Sequence, residues 1–267
     1  MGLEFIGHDP AAPASADETE LVQRADVLVF SAPIRRTGAL IARYAELAAG
    51  SEAGRLWLDV TSIKAAPVAA MLASRAEVVG LHPMTAPPKT PTLKGRVMVV
   101  CEARLDTWRP WVASLLAALE AECVQATPEQ HDRVMALVQA MVHAAHLAQA
   151  GVLRSEATRA GPLDALMPFR SASFEMDAAI IARILSLNPA IYEDIQFGNP
   201  HTILIWLNML CHNIHRNLTQ VHIRADSGCC CDSSRFQNIL YHRHGKFPCS
   251  HLISIQIICC IYKYFIN

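Results

Sequence analysis

Short apolar runs alternate with longer helical stretches through the first 125 residues, and this alternation restricts the possible folds most. The runs are apolar almost throughout, which is typical of strands buried on both faces of a parallel sheet. They are Leu3–Gly7, Asp26–Ser31, Leu56–Val60, Val78–Leu81 and Val97–Cys101. The helical stretches between them are Asp17–Ala25, Thr37–Ala49, Ile63–Ala73 and Trp108–Glu122. This order predicts an α/β fold with a doubly wound parallel sheet.

The pattern changes at Thr127, where the sequence predicts the start of a helix. Thr127 is followed by Pro128 and by Gln130, which matches a capping box with proline at the first helical position. We expect a long helix from here to about Leu153, and a second over Ser171–Leu187 that ends before Asn188-Pro189. The second part of the chain is therefore predicted to be all helical.

The composition changes again near residue 200. Seven of the twelve histidines and seven of the nine cysteines follow Pro200, whereas Ala225 is the only alanine after it. We therefore predict an α/β domain over residues 1–126, a helical domain over 127–204 and a poorly folded tail over 205–267. The tail contains zinc-ligand residue types, but adjacent cysteines such as Cys229-Cys230-Cys231 do not chelate one tetrahedral ion easily, so we expect no metal site.

Charge and hydrophobicity exclude several classes of protein. The 267 residues are 52% hydrophobic and 18% charged, with a formal net charge of -1. This composition argues against disorder over most of the length, and the charge gives no reason to expect nucleic acid or an anionic membrane as a partner. The N-terminus lacks signal-peptide features, and we expect no apolar run that reaches the ~20 residues of a membrane helix. We expect a cytoplasmic protein.

Polar residues concentrate where the predicted strands end, which is where α/β sheets bind ligands. Asp9 follows the first run, Ser31 and Pro33 follow the second, and His82 lies at the end of a later one. An acidic residue at the end of the second strand of a dinucleotide fold accepts hydrogen bonds from ribose hydroxyls. Asp9 fits that role, but aspartate before proline is also an ordinary turn opener.

Several of these motifs, in this order and spacing, resemble those of prephenate dehydrogenases over about residues 3 to 200. The motifs are Gly7-His-Asp9, DVLVFSAP, Asp59-Val-Thr-Ser-Ile-Lys64, Gly80-Leu-His-Pro-Met84 and Glu129-Gln-His-Asp-Arg133. The resemblance implies a Rossmann-like domain that binds NAD, and a helical domain that completes the substrate site and forms a homodimer. It also implies NAD-dependent oxidative decarboxylation of prephenate to 4-hydroxyphenylpyruvate in tyrosine biosynthesis. Arogenate as substrate and an inactive fragment remain alternatives.

The resemblance assigns catalysis to His82 and Ser62. A base that takes the proton of the ring hydroxyl should titrate near neutrality, which favours histidine. The alternative for His82 is a strand-end histidine bonded to backbone, and the alternative for Ser62 is the N-cap of the following helix, a role compatible with catalysis. We expect Lys64 to be an exposed residue of the first helical turn.

The resemblance assigns the substrate's carboxylates to the helical domain. Arg183 matches the family arginine that binds the ring carboxylate, and His143 matches a histidine near the pyruvyl side chain, with Gln139 one turn earlier. An arginine on an apolar helix face is costly without an anion, although a solvated arginine is the alternative. For His131 we expect a core or capping role.

The expected cofactor contacts are Asp9, Ser31 and Pro33, and the charge of Asp9 favours NAD over NADP because it would repel a 2′-phosphate. The family also has a preceding strand and a G-x-G-x-x-G turn that holds the pyrophosphate. This sequence begins at what resembles the second strand, so we expect the chain as given to bind NAD poorly.

Overall fold

The computed structural model describes residues 4–12, 16–85, 92–203 and 205–206. Five strands form one sheet in this part of the chain, in the order β1-β2-β3-β4-β5. They are β1 (Val27–Phe30), β2 (Leu56–Asp59), β3 (Glu77–Pro83), β4 (Val97–Arg104) and β5 (Glu122–Gln125). The helices before and between them are α1 (Glu18–Arg24), α2 (Ile34–Ala48), α3 (Ala65–Leu72) and α4 (Arg109–Leu119). The predicted α/β class is confirmed.

Strand direction departs from the prediction at β4. Strands β1, β2 and β3 are parallel, and β5 is parallel to β4, but β4 is antiparallel to β3. A parallel return needs a crossover, usually a helix. The β1–β2, β2–β3 and β4–β5 connections each contain one, whereas the described residues between β3 and β4 contain none. The sheet is therefore mixed rather than wholly parallel.

The central strands β2 and β3 are buried on both faces, as their continuous apolar runs predict. On one face Trp57 packs with Phe30, Tyr44 and Met71 in a core cluster, where Phe30 meets the rings of Tyr44 and Trp57 edge-on. On the other face the neighbours of Trp57 in β2 belong to a second cluster of buried residues, which are Leu56, Leu58, Val79, Leu81, Leu93, Met98, Val100 and Val112.

Two predicted elements differ from the structure. The expected strand Leu3–Gly7 is wrong over its described residues 4–7, which form no regular structure. The expected helix Trp108–Glu122 ends early at Leu119, because Glu120 adopts a left-handed conformation with φ of 54°. The chain then forms β5, an edge strand whose four residues are all exposed. This strand has no apolar run, so the sequence analysis did not predict it.

The helical part begins as predicted. Thr127 Oγ1 accepts a hydrogen bond from Gln130 N at 3.1 Å and caps α5 (Pro128–Met135). A π-helical segment over Ala136–Met141 leads into α6 (Val142–Ala160), so the predicted long helix extends beyond Leu153. Helices α7 (Leu163–Leu166), α8 (Ala172–Leu185) and α9 (Pro189–Gly198) follow, with a 3₁₀ turn over Met167–Phe169.

The dipeptide Asn188-Pro189 ends one helix and begins another. Proline disfavours helix at the preceding residue but is well suited to the first position of a new helix. Asn188 Oδ1 accepts a hydrogen bond from Ala190 N at 3.0 Å and caps α9. The sequence predicted the end of α8 here, whereas α9 itself was missed.

The described residues divide into two compact units. The first contains those within 1–144 and 179–202, and the second those within 145–178 and 203–206. The predicted domain boundaries at 126 and 204 stay predictions, and the tail beyond residue 206, with its cysteines, lies outside the described residues. Among those residues, the continuous helical stretch Pro128–Ala160 is long and apolar enough to cross a membrane by length and composition alone.

Candidate active site

The site forms around His82, which lies in β3 and pairs with Val99 of β4. The side chain is almost completely buried, with 3% of the residue exposed. His82 Nδ1 lies 2.8 Å from His131 Nε2 of α5, and the two rings meet edge-on. The alternative of a strand-end histidine bonded to backbone does not describe this contact, because the partner is a second imidazole 49 positions along the chain.

His131 and its neighbour Asp132 continue this contact into helix α3. His131 Nδ1 lies 2.7 Å from Asp132 Oδ1. The Asp132 carboxylate also accepts hydrogen bonds from Lys64 N at 2.7 Å and from Ala65 N at 2.9 Å. It thereby caps the N-terminus of α3 from a distant element. We call His82, His131 and Asp132 the relay group.

Burial and charge set the protonation of the relay group. Burial, together with the electrostatic effects of His131 and Lys64, lowers the pKa of His82 to about 3, against an opposing effect of Asp132. Burial by itself would raise the pKa of Asp132, but the hydrogen bonds from His131, Ala65 and Lys64 outweigh it and hold that pKa below its ordinary value. At neutral pH, His82 is therefore neutral and Asp132 is charged.

The expectation of an exposed Lys64 is wrong, since its exposed fraction is 0%. Its ammonium group forms a buried ion pair with Asp59 and donates to Leu81 O at 2.9 Å. Helix α3 begins at Ala65 rather than Ile63, so Lys64 precedes the first turn. Burial lowers the pKa of Lys64 and raises that of Asp59, and each charge opposes the shift of the other.

Gly80 leaves the space that this ion pair occupies. A Cβ atom at position 80 would lie 2.8 Å from Val68 Cγ2, 3.0 Å from Lys64 Cδ and 3.1 Å from Asp59 Oδ2. These distances are shorter than ordinary van der Waals contacts. The absence of a side chain in the Gly80-Leu-His82 motif therefore has a packing reason.

Ser62 is half-buried in the turn between β2 and α3. The alternative that it caps the helix is wrong, because the N-cap position belongs to Lys64 and the Asp132 carboxylate receives the helical N–H groups. Its assignment as a catalytic hydroxyl stays a prediction.

The predicted substrate residues belong to a second group, which we call the helical group: Gln139, His143, Arg183 and Tyr192. His143 is half-buried and meets the buried ring of Tyr192 edge-on at a centroid distance of 4.8 Å. Burial raises the pKa of the Tyr192 hydroxyl, and the nearby charge of Arg183 opposes that shift. Arg183 is exposed on α8 rather than enclosed in an apolar face. Tyr192, which the sequence analysis missed, thus contacts the ring of His143 and is influenced by the charge of Arg183.

Gln139 lies in the π-helical segment, which α9 supports through a hydrogen bond from Gln196 Nε2 to Ala140 O at 2.7 Å. Its Oε1 atom is buried and has no hydrogen-bond partner among the described residues. A buried acceptor without a partner is costly, and π-helical turns are frequent at functional sites. Both observations suit a residue that receives its partner from a ligand.

The expected cofactor residues are exposed at two separate loops. Asp9 Oδ1 accepts a hydrogen bond from Ala11 N at 2.9 Å. Asp9 therefore opens a turn, which was the alternative to a cofactor role in the sequence analysis. Ser31 and Pro33 follow β1, and Pro33 occupies the N-cap position of α2 without a side-chain cap. Their assignment to a cofactor stays a prediction.

Sequence reasoning missed the functional contacts of His131, Asp132 and Lys64. The Glu129–Arg133 motif contains both relay residues of α5, but its position after a helix cap gave no sign that its side chains reach β3 and α3. The structure bears out a buried His131, which is 1% exposed. Its hydrogen bond to His82 adds a contact that a core role alone does not require.

Comparison with family models gives two matches that together span most of the chain. The nucleotide-binding domain of prephenate dehydrogenase matches residues 11–126, and the dimerization domain of prephenate dehydrogenase matches residues 127–226.

Two curated relatives are each 30% identical to this chain. The probable arogenate/prephenate dehydrogenase of Methanocaldococcus jannaschii aligns over 206 residues, which are 75% of this chain and 43% of the relative. The T-protein of Enterobacter agglomerans aligns over 176 residues, 66% of this chain and 45% of that protein. The chain thus spans less than half the length of these relatives.

Solved structures share the fold at lower identity. The crystal structure of prephenate dehydrogenase from Aquifex aeolicus with hydroxyphenyl propionate and NAD+ has a TM-score of 0.61 and 17% identity, covering 80% of this chain and 74% of that one. A putative prephenate dehydrogenase from Corynebacterium glutamicum has a TM-score of 0.58 and 20% identity, covering 91% and 81% respectively.

Proposed function

Because this chain belongs to the prephenate dehydrogenase family, we propose that it catalyses the NAD-dependent oxidative decarboxylation of prephenate to 4-hydroxyphenylpyruvate in tyrosine biosynthesis. The observation that carries the proposal is the buried His82, neutral at physiological pH and bonded through Nδ1 to His131. A neutral, oriented imidazole can accept a hydroxyl proton, and its pKa of about 3 lies below the near-neutral value that the sequence analysis expected of the base.

In the proposed reaction His82 takes the proton from the ring hydroxyl of prephenate while the ring carboxylate leaves as carbon dioxide. Ser62, in the turn after β2, binds the same hydroxyl or orients the imidazole. Burial of His82 excludes water from the base and leaves substrate as its proton donor.

The helical group would bind the carboxylates. Arg183 is exposed and carries a planar fork that matches the two oxygens of the ring carboxylate. His143, held against Tyr192, would face the pyruvyl side chain. Gln139 would assist with an amide whose oxygen is buried without a partner among the described residues.

The cofactor would contact Asp9, Ser31 and Pro33. All three are exposed and lie at the loops before α1 and α2. When bound, NAD accepts the hydride from the ring carbon. The carboxylate of Asp9 would accept hydrogen bonds from ribose hydroxyls and disfavour a 2′-phosphate.

The long helix offers a surface for a second copy of the chain. Val134, Leu137, Val138 and Val142 are exposed, and the last three follow Val134 by three, four and eight residues, a spacing that is typical of one helix face. An exposed apolar face of this kind is typical of a subunit interface. We include a homodimer in the proposal, with a cytoplasmic location and with neither nucleic acid nor a membrane as partner.

The test is the formation of reduced nicotinamide by the purified chain with prephenate, with arogenate as the alternative substrate and with NADP as the alternative cofactor. His82→Asn is the matched control, because asparagine keeps a polar side chain but cannot accept the proton. Turnover should fall by about 10²–10⁴-fold while KM changes little. Near-full turnover of His82→Asn would contradict the assignment of the base, and no turnover of the unchanged chain with either substrate would favour an inactive fragment.

A further inference from the structure

We propose that His131 and Asp132 are positioning residues that hold His82 in the neutral tautomer whose Nε2 atom accepts the substrate proton. The inference rests on the proposed function for its catalytic consequence, but its structural content concerns only the relay group. Both residues belong to the Glu129–Arg133 motif, and His131 contacts the proposed base directly.

The first step is the charge of Asp132. Its two carboxylate oxygens accept hydrogen bonds from the backbone N–H groups of Lys64 and Ala65, at 2.7 and 2.9 Å. A backbone N–H can only donate, so both oxygens must act as acceptors, and the N-terminus of a helix further favours a negative charge. Asp132 is therefore an ionised acceptor that two backbone N–H groups hold in place.

The charge of Asp132 determines the tautomer of His131. Its Nδ1 atom lies 2.7 Å from Oδ1 of the ionised Asp132 and must donate a proton to it. In a neutral imidazole the other nitrogen then carries a lone pair. That nitrogen, Nε2, lies 2.8 Å from His82 Nδ1 and accepts a hydrogen bond from it.

The tautomer of His131 in turn determines the tautomer of His82. Because its Nδ1 atom donates to His131, its Nε2 atom is the unprotonated one. This is the less common tautomer for a histidine in water, so the protein has to impose it. When Nε2 takes a proton, the resulting imidazolium is stabilised by the hydrogen bond to His131 and by the nearby carboxylate of Asp132, without any need for Asp132 itself to become protonated.

The relay also joins three elements of the first unit. Helix α5 supplies His131 and Asp132, the N-terminus of α3 fixes Asp132, and β3 supplies His82. In addition, Asn199 Nδ2 donates to Asp132 O at 2.6 Å. The orientation of the base is therefore set by residues from separate parts of the chain.

The test combines two variants of His131 in the full chain. His131→Leu removes the acceptor, whereas the amide of His131→Gln can accept from His82 Nδ1 with its oxygen and donate to Asp132 with its nitrogen. We expect kcat to fall roughly 10- to 100-fold in the leucine variant, by analogy with the loss seen when the partner that orients a metal-binding histidine is removed, with little change in KM. The glutamine variant should recover most of that loss.

The direct readout is the tautomer of His82, measured by ¹H–¹⁵N correlation spectra of the chain with ¹⁵N-labelled histidine. His82→Asn identifies the signal by its disappearance. We expect the proton of His82 on Nδ1 in the unchanged chain and in His131→Gln, but not predominantly there in His131→Leu. A proton on Nε2 in the unchanged chain, or a leucine variant that keeps both tautomer and kcat, would overturn the proposal.

A matched control separates positioning from helix capping. Asp194 of α9 is also buried, and its Oδ2 atom accepts from Arg35 N at 3.3 Å in the first turn of α2. Asp194→Asn should leave the His82 tautomer unchanged, whereas Asp132→Asn should lower kcat, because the imidazolium loses its carboxylate. If the unchanged chain shows the expected tautomer but does not turn over prephenate, the proposed function fails while the relay stands.

Discussion

The relay group and the helical group satisfy their polar atoms in opposite ways. In the relay group every member is buried, and the contacts run without interruption from His82 through His131 and Asp132 to backbone N–H groups. In the helical group Arg183 is exposed, His143 is half-buried, and Gln139 Oε1 has no partner among the described residues.

This difference indicates that the two groups have different functions, one in proton acceptance and the other in ligand binding. The hydrogen bonds that join His82, His131 and Asp132 favour one protonation pattern, because any change leaves a donor or acceptor within these contacts without a partner. A partly exposed group with spare hydrogen-bonding capacity is suited to bind a ligand. The comparison therefore predicts that changes to the buried polar groups alter stability and kcat, whereas changes to the helical group alter KM.

The largest effect should come from pH. Because the pKa of His82 is about 3 in the folded chain and near 6.5 when unfolded, the unfolded chain binds more protons between these values. The free energy of unfolding should thus decrease as pH falls through this window, by at most about 5 kcal/mol for the 3.5-unit difference. The lowered pKa of Asp132 adds a loss in the same direction below its ordinary value of 3.8. Urea unfolding from pH 7 to pH 4 would measure this slope, and a slope unchanged in His82→Gln would contradict the prediction.

The next effect concerns the buried ion pair beside the relay group. Lys64→Met leaves the Asp59 charge buried without its cation and should lower the free energy of unfolding by about 3–5 kcal/mol. The double variant Lys64→Met/Asp59→Asn should recover part of this loss, because the uncompensated charge is removed. Arg35→Met, which opens a more exposed pair with Asp194, is the control and should cost much less. Equal losses in Lys64→Met and Arg35→Met, measured by denaturant unfolding, would show that burial does not distinguish the pairs.

Arg183→Ala tests the helical group directly. Loss of a charge-assisted contact with a carboxylate should raise KM for prephenate roughly 10- to 100-fold. The value of kcat should stay nearly unchanged, because the exposed Arg183 does not belong to the relay group. Steady-state kinetics beside His82→Asn would make the comparison, since the histidine variant should show the reverse pattern. A fall in kcat without a change in KM in Arg183→Ala would contradict the prediction that the helical group acts on substrate binding.

The smallest effects should come from the helix caps. Thr127 caps the helix that carries the relay residues, and Asn188 caps the helix that carries Tyr192. Substitution of either by alanine should lower the free energy of unfolding by about 1 kcal/mol, through loss of one hydrogen bond to the first turn. Thermal unfolding would measure both, and a loss of several kcal/mol at either position would indicate that the cap also supports its group of side chains.

Local features of the site and fold followed from the sequence. Continuous apolar runs identified strands β1 to β4, and the Thr127 capping box placed the start of α5. Turn residues marked the end of α8, and the position of His82 at a strand end follows from the run before it. Each of these depends on a pattern within a few residues, which backbone geometry and the burial of one face translate directly into an element.

The tertiary structure decided how the polar residues are paired. Asp132 reaches the N-terminus of α3 across 67 and 68 positions, His131 meets His82 across 49, and Lys64 lies buried where the sequence predicted exposure. The direction of β4 likewise depends on how the chain returns after β3. The physical reason is that a buried polar group is stable only beside a complementary partner, and a partner from another element leaves no periodic signal in the sequence around either residue.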